Sequence, residues 1–290
     1  MCTITLTTDF GIRDWFVGAL KGVLLGINPR ATLVDITHEI PAGDIRTGAF
    51  ALMAACRYFP KATIHVAAVD PGVGSRRRAI AVQTANYIFV GPDNGVLSWA
   101  LAREKIETIC QLENPEYFLQ TISRTFHGRD IFAPVAAHLS RRLSLRKLGR
   151  ELKDFTRLPW PEPTRGTDRI RRGKASAARE DARHAKIRGE IIHIDHFGNA
   201  ITNIGNELVF GKQKATCEVI GKRKVRCALA EFYSAVPVNT PVAVIGSSGV
   251  LEIAVNGGAA ARRFGLRIGD AIHIRTNCLT ASTSSLSSRL

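Results

Sequence analysis

The sequence predicts an α/β protein in which an N-terminal domain with a mostly parallel sheet, residues 1–160, precedes a smaller C-terminal β-barrel domain, residues 189–278. Short, nearly all-apolar β-branched runs alternate with helical patterns through the first 150 residues, which predicts the first domain. After residues 160–163 the composition changes to short strands and turns, which is typical of a small barrel or a sandwich.

Apolar runs predict the strands of the first domain. Both faces of such strands must be covered, as in a parallel sheet between helices. The runs are 4–8, 32–36, 63–69, 79–83 and 87–90. Apolar residues at helical spacing predict helices over 14–25, 44–58 and 131–139.

The second half of the chain is predicted to contain a basic linker over 161–188, the strands of the second domain, and a disordered serine-rich tail over 279–290. Those strands are expected at 189–194, 200–204, 215–220, 225–229, 242–245, 250–255 and 271–274.

The composition excludes several classes of protein. No apolar run reaches about 18 residues, the length of a membrane-spanning helix, and the N-terminus lacks the basic segment of a secretory signal. The six cysteines are scattered without a C-x-x-C pair, which predicts reduced thiols and no zinc site. We therefore expect a cytoplasmic protein without a membrane contact.

The net charge of +15 comes largely from two basic stretches, 141–147 and 164–189. Basic runs contact phosphate backbones, but they also form solvated linkers that stay open by self-repulsion. No aromatic residue lies within 164–189, so the stacking part of a nucleic-acid site is missing there. The linker interpretation is favoured, and a nucleic-acid partner is not expected.

Three acids follow or end predicted strands of the first domain, at the sheet edge where α/β proteins bind ligands. Asp9 and Asp70 stand in glycine-containing turns, which allow a ligand to approach the backbone. Asp35 lacks such a turn and is interpreted as structural. Each acid alone could equally be a turn former or a helix cap.

Two further features of the sequence are basic: an arginine run after the Asp70 turn, and His127. Arginines follow the Asp70 turn at 76–78, but the glycine spacing matches no phosphate loop and no helix pattern follows. His127 precedes the helix predicted at 131–139, where the positive end of the helix dipole favours neutral imidazole. The alternative for His127 is a packing or capping role.

Taken together, these segments resemble the S-adenosyl-L-methionine (SAM) hydroxide adenosyltransferases, or SAM hydrolases, the non-halogenating relatives of the fluorinases and chlorinases. The resemblance runs in order from residue 3 to about residue 275 and leaves out the basic linker and the tail. The segments are LTTDFG at 6–11, DPGVGSRR at 70–77, GPDNG at 91–95, TFHGRD at 125–130, IDHFGN at 194–199 and GSSG at 246–249.

The resemblance implies hydrolysis of SAM to adenosine and L-methionine, with SAM as substrate and no cofactor or metal. It also implies a homotrimer whose active sites lie between the N-terminal domain of one subunit and the C-terminal domain of its neighbour. The implied catalytic set is Asp70, Arg77 and His127. The implied substrate contacts are Asp9 to the ribose hydroxyls, Asp195 and Ser247 to the methionine end, Asn199 to the adenine edge, Tyr233 against the adenine ring, and Glu252 and Val255 in the lining.

Departures from the halogenating relatives favour hydroxide transfer. Those relatives carry small hydroxyl or aromatic residues where this chain has Asp70, Val73 and Gly128, an insertion after the strand that ends near residue 83, and a bulky aromatic at 42–43. A carboxylate near the nucleophile repels halide and can orient water. The alternatives are a halide adenosyltransferase and a catalytically silent adenosine- or nucleic-acid-binding protein.

Two mechanisms are compatible with the residues. In one, Asp70 orients a water and His127 takes its proton as general base. In the other, Arg77 and His127 stabilise a hydroxide directly. The residue types do not distinguish them.

Overall fold

The computed structural model describes residues 2–168, 184–209, 215–220 and 224–276, and the chain divides into two compact units, Met1–Pro159 and Trp160–Leu290. The strands of the first unit are β1 Thr3–Thr8, β2 Thr32–Thr37, β3 Ile64–Ala68, β4 Ala79–Thr84, β5 Ile88–Pro92 and β6 Ile106–Gln111. Its helices are α1 Phe16–Ile27, α2 Ile45–Cys56, α3 Ser98–Leu101 and α4 Ala133–Ser140.

The first sheet has the order β2-β1-β3-β5-β4-β6. The first four strands in that order are parallel, whereas β4 runs antiparallel to β5 and β6. The predicted α/β class is therefore confirmed. Strand β6 was not predicted, because Glu107 and Thr108 interrupt its apolar residues and only Ile109 and Cys110 are buried.

Helices cover both faces of this sheet. Ile4 and Leu6 of β1 pack with Leu20 and Leu24 of α1 and with the buried residues of α4. Successive side chains of a strand point to opposite faces, and α2 contacts the other face of β1, β2 and β3. Helix α2 begins after Asp44, whose carboxylate accepts hydrogen bonds from Thr47 N at 3.0 Å and Oγ1 at 2.6 Å.

The second unit is built on one curled sheet with the order β14-β10-β11-β12-β13-β9-β8-β7, and β14 also pairs with β8. Its strands are β7 Thr164–Asp168, β8 His184–Ile194, β9 Ala200–Gly205, β10 Ala215–Ile220, β11 Lys224–Leu229, β12 Pro241–Ile245, β13 Val250–Val255 and β14 Ala271–Thr276. Its helices are α5 Asn206–Val209 and α6 Ala260–Phe264. Small and branched apolar side chains form the hydrophobic core of this unit.

The expected linker over 161–188 needs correction at both ends. Residues Thr164–Asp168 form β7 and pair antiparallel with the first half of β8. Because ladder hydrogen bonds come from the backbone, a polar, basic segment can form a strand once a neighbouring strand is present. The centre of the linker, 169–183, and the expected tail, 279–290, lie outside the described residues.

Within the described ranges, no helix combines the length and apolar character of a membrane span. The five cysteines in those ranges are free thiols, and all but Cys2 are buried.

Candidate active site

The carboxyl ends of β1 and β3 bring Asp9 and Asp70 to the same edge of the first sheet. The two strands are parallel neighbours in which Thr8 lies opposite Ala68. Burial raises the pKa of Asp9, and the negative charge of Asp70 raises it further. The backbone N–H of Gly43 donates to Asp9 Oδ2 at 2.8 Å and thereby lowers the same pKa. The two carboxylates therefore act on each other electrostatically.

Arg77 links Asp70 to His127. Its Nε lies 2.9 Å from each carboxylate oxygen of Asp70, and its Nη2 donates both to Asp70 Oδ2 and, at 2.8 Å, to Nδ1 of His127. Only 9% of the Asp70 side chain and 11% of the Arg77 side chain are exposed. The guanidinium carbon lies 5.4 Å from the ring centroid of Phe132, an additional cation–π contact. This arrangement unites the three predicted catalytic residues in one chain of hydrogen bonds.

The bond from Arg77 determines the tautomer of His127. A guanidinium only donates, so Nδ1 must accept and the imidazole is neutral, with its hydrogen on Nε2. Burial lowers the pKa of His127, and the Arg77 charge lowers it further. His127 consequently presents an N–H donor at the atom that Arg77 does not occupy.

A close backbone contact fixes the turn that carries Arg77. Gly74 has φ +77°, and a Cβ at this position would overlap the carbonyl oxygen of Arg124. Only glycine allows both the left-handed backbone and this approach. The side-chain amide of Asn94 donates to the carbonyl of Val69 at 2.9 Å and holds the end of β3.

Aromatic packing fixes the segment that carries His127. Phe126 makes edge-to-face contacts with Phe10 at 5.5 Å and Phe16 at 5.2 Å between ring centroids. Gly128 follows His127 and lies directly against the Phe10 ring. The helix predicted over 131–139 starts earlier, as a π-helical turn Gly128–Phe132 that leads into α4. Such π-turns are frequent at functional sites.

A second polar cluster lies in the C-terminal unit, in the hairpin between β8 and β9. The backbone N–H of Asn199 donates to Asp195 Oδ1 at 2.8 Å, and its side-chain amide donates to Oδ2 at 3.0 Å. Gly198 has φ +82° and packs against Ala259. Among the described residues, the donors that hold the Asp195 carboxylate are neutral.

Tyr233 and Glu252 form the other half of this cluster. The Tyr233 hydroxyl donates to Glu252 Oε2 at 2.8 Å, and Glu252 is only 5% exposed. Burial raises the pKa of Glu252, the bond from Tyr233 opposes this effect, and the charge of Asp195 adds to it. Burial, followed by the bond to Glu252, raises the pKa of Tyr233 to about 12.

The remaining expected substrate contacts differ in exposure. Ser247 is exposed in the turn between β12 and β13, directly after Gly246, against which the Glu252 carboxylate packs. Val255 is 4% exposed, and its side chain belongs to the hydrophobic core of the unit rather than to an open surface.

Residues 4–149 match the N-terminal domain of the SAM hydroxide adenosyltransferase family, and residues 189–273 match its C-terminal domain. The chain belongs to this family. A relative from Salinispora arenicola, named (R)-S-adenosyl-L-methionine hydrolase, is 36% identical over 93% of this chain and 97% of its own length. A fluorinase from Nocardia brasiliensis is more distant, at 26% identity over 94% of this chain and 96% of the relative.

The fold of this family member is also found in a solved structure. The crystal structure of an uncharacterised conserved protein from Thermotoga maritima superposes with a TM-score of 0.82 at 35% identity, covering 93% of this chain and 99% of that one.

One network behind the site of this SAM hydroxide adenosyltransferase was not predicted. Thr8 Oγ1 and Nδ1 of His38 lie 2.8 Å apart, Nε2 of His38 lies 3.0 Å from Asp35 Oδ1, and Lys21 donates to Asp35 Oδ2 at 2.6 Å. The network ends at the residue before Asp9 and therefore supports its turn. The sequence signal for this contact is the i, i+3 spacing of Asp35 and His38 at the end of β2.

Proposed function

We propose that this chain hydrolyses SAM to adenosine and L-methionine. The observation that carries the proposal is the hydrogen-bonded chain Asp70–Arg77–His127 at the sheet edge, next to the carboxylate of Asp9. The name of the Salinispora relative supports the same reaction.

The reaction places modest demands on the protein. A bond forms between a water or hydroxide oxygen and C5′ of SAM while the C5′–S bond breaks, and its electron pair neutralises the sulfonium as methionine leaves. The leaving group departs uncharged, so it needs neither a general acid nor a metal. The protein must position the nucleophile in line with the C5′–S bond and exclude other water.

The geometry favours hydroxide stabilisation over general-base catalysis by His127. Nδ1 of His127 already accepts a hydrogen bond from Arg77, and Nε2 carries a hydrogen, so no free lone pair remains to take a proton. We therefore assign to Arg77 and to the Nε2–H of His127 the role of holding hydroxide. Asp70 fixes Arg77 and accepts a hydrogen bond from the nucleophile, whose proton has passed to solvent.

The substrate contacts divide between the two polar clusters. We assign the ribose hydroxyls to Asp9, because a carboxylate accepts from a vicinal diol. We assign the methionine end to Asp195 and Ser247, the adenine edge to Asn199 and the adenine ring face to Tyr233. Glu252 and the backbone at Val255 complete the lining. The anionic character of Asp195 and Glu252 supports this division, because SAM carries an ammonium and a sulfonium.

Incubation with SAM, with and without chloride, followed by chromatography of the nucleoside products, tests the reaction. We expect adenosine and methionine in equal amounts under both conditions. A chlorinated nucleoside would instead indicate a halide adenosyltransferase, and unchanged SAM would indicate a binding protein without turnover.

We further propose a homotrimer with shared active sites, a closed C-terminal barrel and a cytoplasmic location. The pairing of β14 with β8 supports closure, and the free cysteines of the described ranges suit a reducing compartment.

Mixing two inactive variants tests whether the active sites are shared between subunits. If they are, His127→Ala and Asn199→Ala subunits regain activity after they exchange, with about a quarter of sites intact at equal amounts. Exchange proven by mass labelling without recovery would contradict shared sites.

A further inference from the structure

A cavity of about 900 Å³ opens at the edge of the first sheet opposite Asp9 and Asp70. It lies where β1 and β3 begin and where α1 and α4 end. Apolar side chains, among them Ile27, Ile64 and Leu143, form part of its wall. Cavities of about 300–1,000 Å³ with an apolar wall and a few polar groups are typical of small-molecule sites.

The charged residues lining this cavity are all cations. They are Arg30, Lys61, Arg141 and Arg142, and no aspartate or glutamate lines the cavity. None of the four forms an ion pair with a carboxylate among the described residues. The C-terminal ends of α1 and α4 contribute about half a negative charge each, so about three positive charges remain uncompensated.

Two residues of the cavity other than glycine have a left-handed backbone. Ala62 has φ 64° and Arg142 has φ 68°, and in the described ranges only Asn239 shares such a left-handed backbone without being glycine. Both positions are held by backbone hydrogen bonds, from Ala62 N to Asn86 O at 2.6 Å and from Arg142 N to Leu139 O at 2.9 Å. At Arg142 this backbone belongs to the Schellman motif that ends α4, in which Leu143 N also donates to His138 O at 3.3 Å. Ala62 ends no helix, and a residue held in this conformation outside a helix cap is typical of a binding site.

A direct bond fixes the two helix ends relative to each other. The side-chain amide of Asn28 donates to Ser140 Oγ at 2.7 Å, and Ser140 Oγ in turn donates to the carbonyl of Ala137 at 2.6 Å. The bond thus sets the distance between the backbone segment that carries Arg30 and the one that carries Arg141. The backbone of these two cations is therefore in place before an anion binds, which lowers the entropy lost on binding, while their side chains are exposed.

We propose that this cavity binds an organic phosphate, a small molecule with a phosphate group and an apolar or aromatic body. The phosphate would contact Arg30, Lys61, Arg141 and Arg142, and the body would pack on the apolar wall. Arginine and lysine are the usual phosphate ligands. The concave shape and apolar wall favour a single small ligand over a nucleic-acid strand. The site is separate from the catalytic edge of the sheet.

Calorimetric titration with GTP tests the proposal, in the presence of saturating adenosine so that the catalytic site is occupied. The double variant Arg30→Ala/Lys61→Ala should bind GTP at least about tenfold more weakly than the unchanged protein, since it loses charge-assisted contacts to phosphate. The matched control Lys105→Ala/Lys153→Ala removes the same charge from exposed residues of the same unit and should bind GTP within about twofold of the unchanged protein. Retained SAM hydrolysis in both variants shows that they fold.

Three results would overturn the proposal. An equal loss of GTP affinity in both double variants would show that only the overall charge is sensed. Equal affinity for GTP and inorganic tripolyphosphate would show that the apolar wall plays no part. Binding of a single-stranded RNA probe without binding of GTP would assign the surface to a polymer.

Discussion

The two polar clusters of this protein differ in how their charges are compensated. In the N-terminal unit, Arg77 stands between Asp70 and His127 and donates to both. In the C-terminal unit, Asp195 and Glu252 receive hydrogen bonds from neutral donors, and no lysine or arginine of the described residues pairs with either. The first cluster is therefore complete by itself, whereas the second is suited to receive a cation from a ligand. A substrate with an ammonium and a sulfonium would supply it.

The largest effect should come from breaking the compensated cluster. In Arg77→Lys a single ammonium group replaces the planar guanidinium. The lysine cannot hold Asp70 through two nitrogen atoms and donate to His127 as well. We expect kcat to fall by about 10² to 10³, the usual loss for one preorganised donor, with the KM for SAM changed much less. Steady-state kinetics measures both.

Arg78→Lys is the matched control, because Arg78 also donates to two partners, Asp93 at 2.6 Å and Asp154 at 3.0 Å, but outside the site. Its kcat should stay within about threefold of the unchanged protein, as expected for an ion pair that lysine can preserve. Equal losses of kcat in the two variants would mean that the turn is merely destabilised.

Much of this fold could be predicted from apolar patterning. Strands β1 to β5 were predicted to within about two residues at each end, the usual accuracy of boundaries. Strand β7 was missed because Thr164–Asp168 contains no apolar residue, and its structure depends on the backbone of β8. Local propensity carries no information about such a partner.

The sequence predicts candidate site residues, but it does not predict the hydrogen bonds between them. The sequence placed Asp9 and Asp70 at strand ends, and adjacency of β1 and β3 then follows from the topology. No pattern indicates that Arg77 donates to Nδ1 of His127, the observation on which the proposed hydroxide mechanism rests. That bond joins residues 50 positions apart, in two segments that also meet where Gly74 packs against Arg124.

A smaller effect should appear as a dependence on pH. The neutral form of His127 accepts from Arg77, and protonation would place N–H against N–H and break that bond. Because burial and Arg77 lower the pKa of His127, protonation of this ring should add its own loss of kcat, about tenfold per pH unit, only at a pH below the ordinary histidine value of about 6.5.

The control for this pH profile is His138→Gln. Burial and the charge of Arg141 lower the pKa of His138 too. His138 lies in α4 and packs against Tyr117, away from the cluster of Asp70, Arg77 and His127. The variant should keep the same acid limb in kcat. A His127 ring that titrates at or above the ordinary histidine pKa in an NMR titration would contradict its assigned state.

The smallest effect should come from the uncompensated cluster, in Tyr233→Phe. Loss of the hydroxyl removes the bond that opposes the raised pKa of Glu252, so that pKa rises further. Glu252 then binds a proton at a higher pH and attracts a cationic substrate less. We expect the KM for SAM to rise about threefold in acid and less at neutral pH, with kcat unchanged. In Glu252→Gln the side chain no longer ionises, so the KM for SAM should be raised and should not change with pH through this group. Tyr117→Phe removes a hydroxyl from the other unit and should bind SAM with an unchanged KM. A KM in Tyr233→Phe that equals the unchanged value at every pH would show that the charge of Glu252 does not contribute to substrate binding.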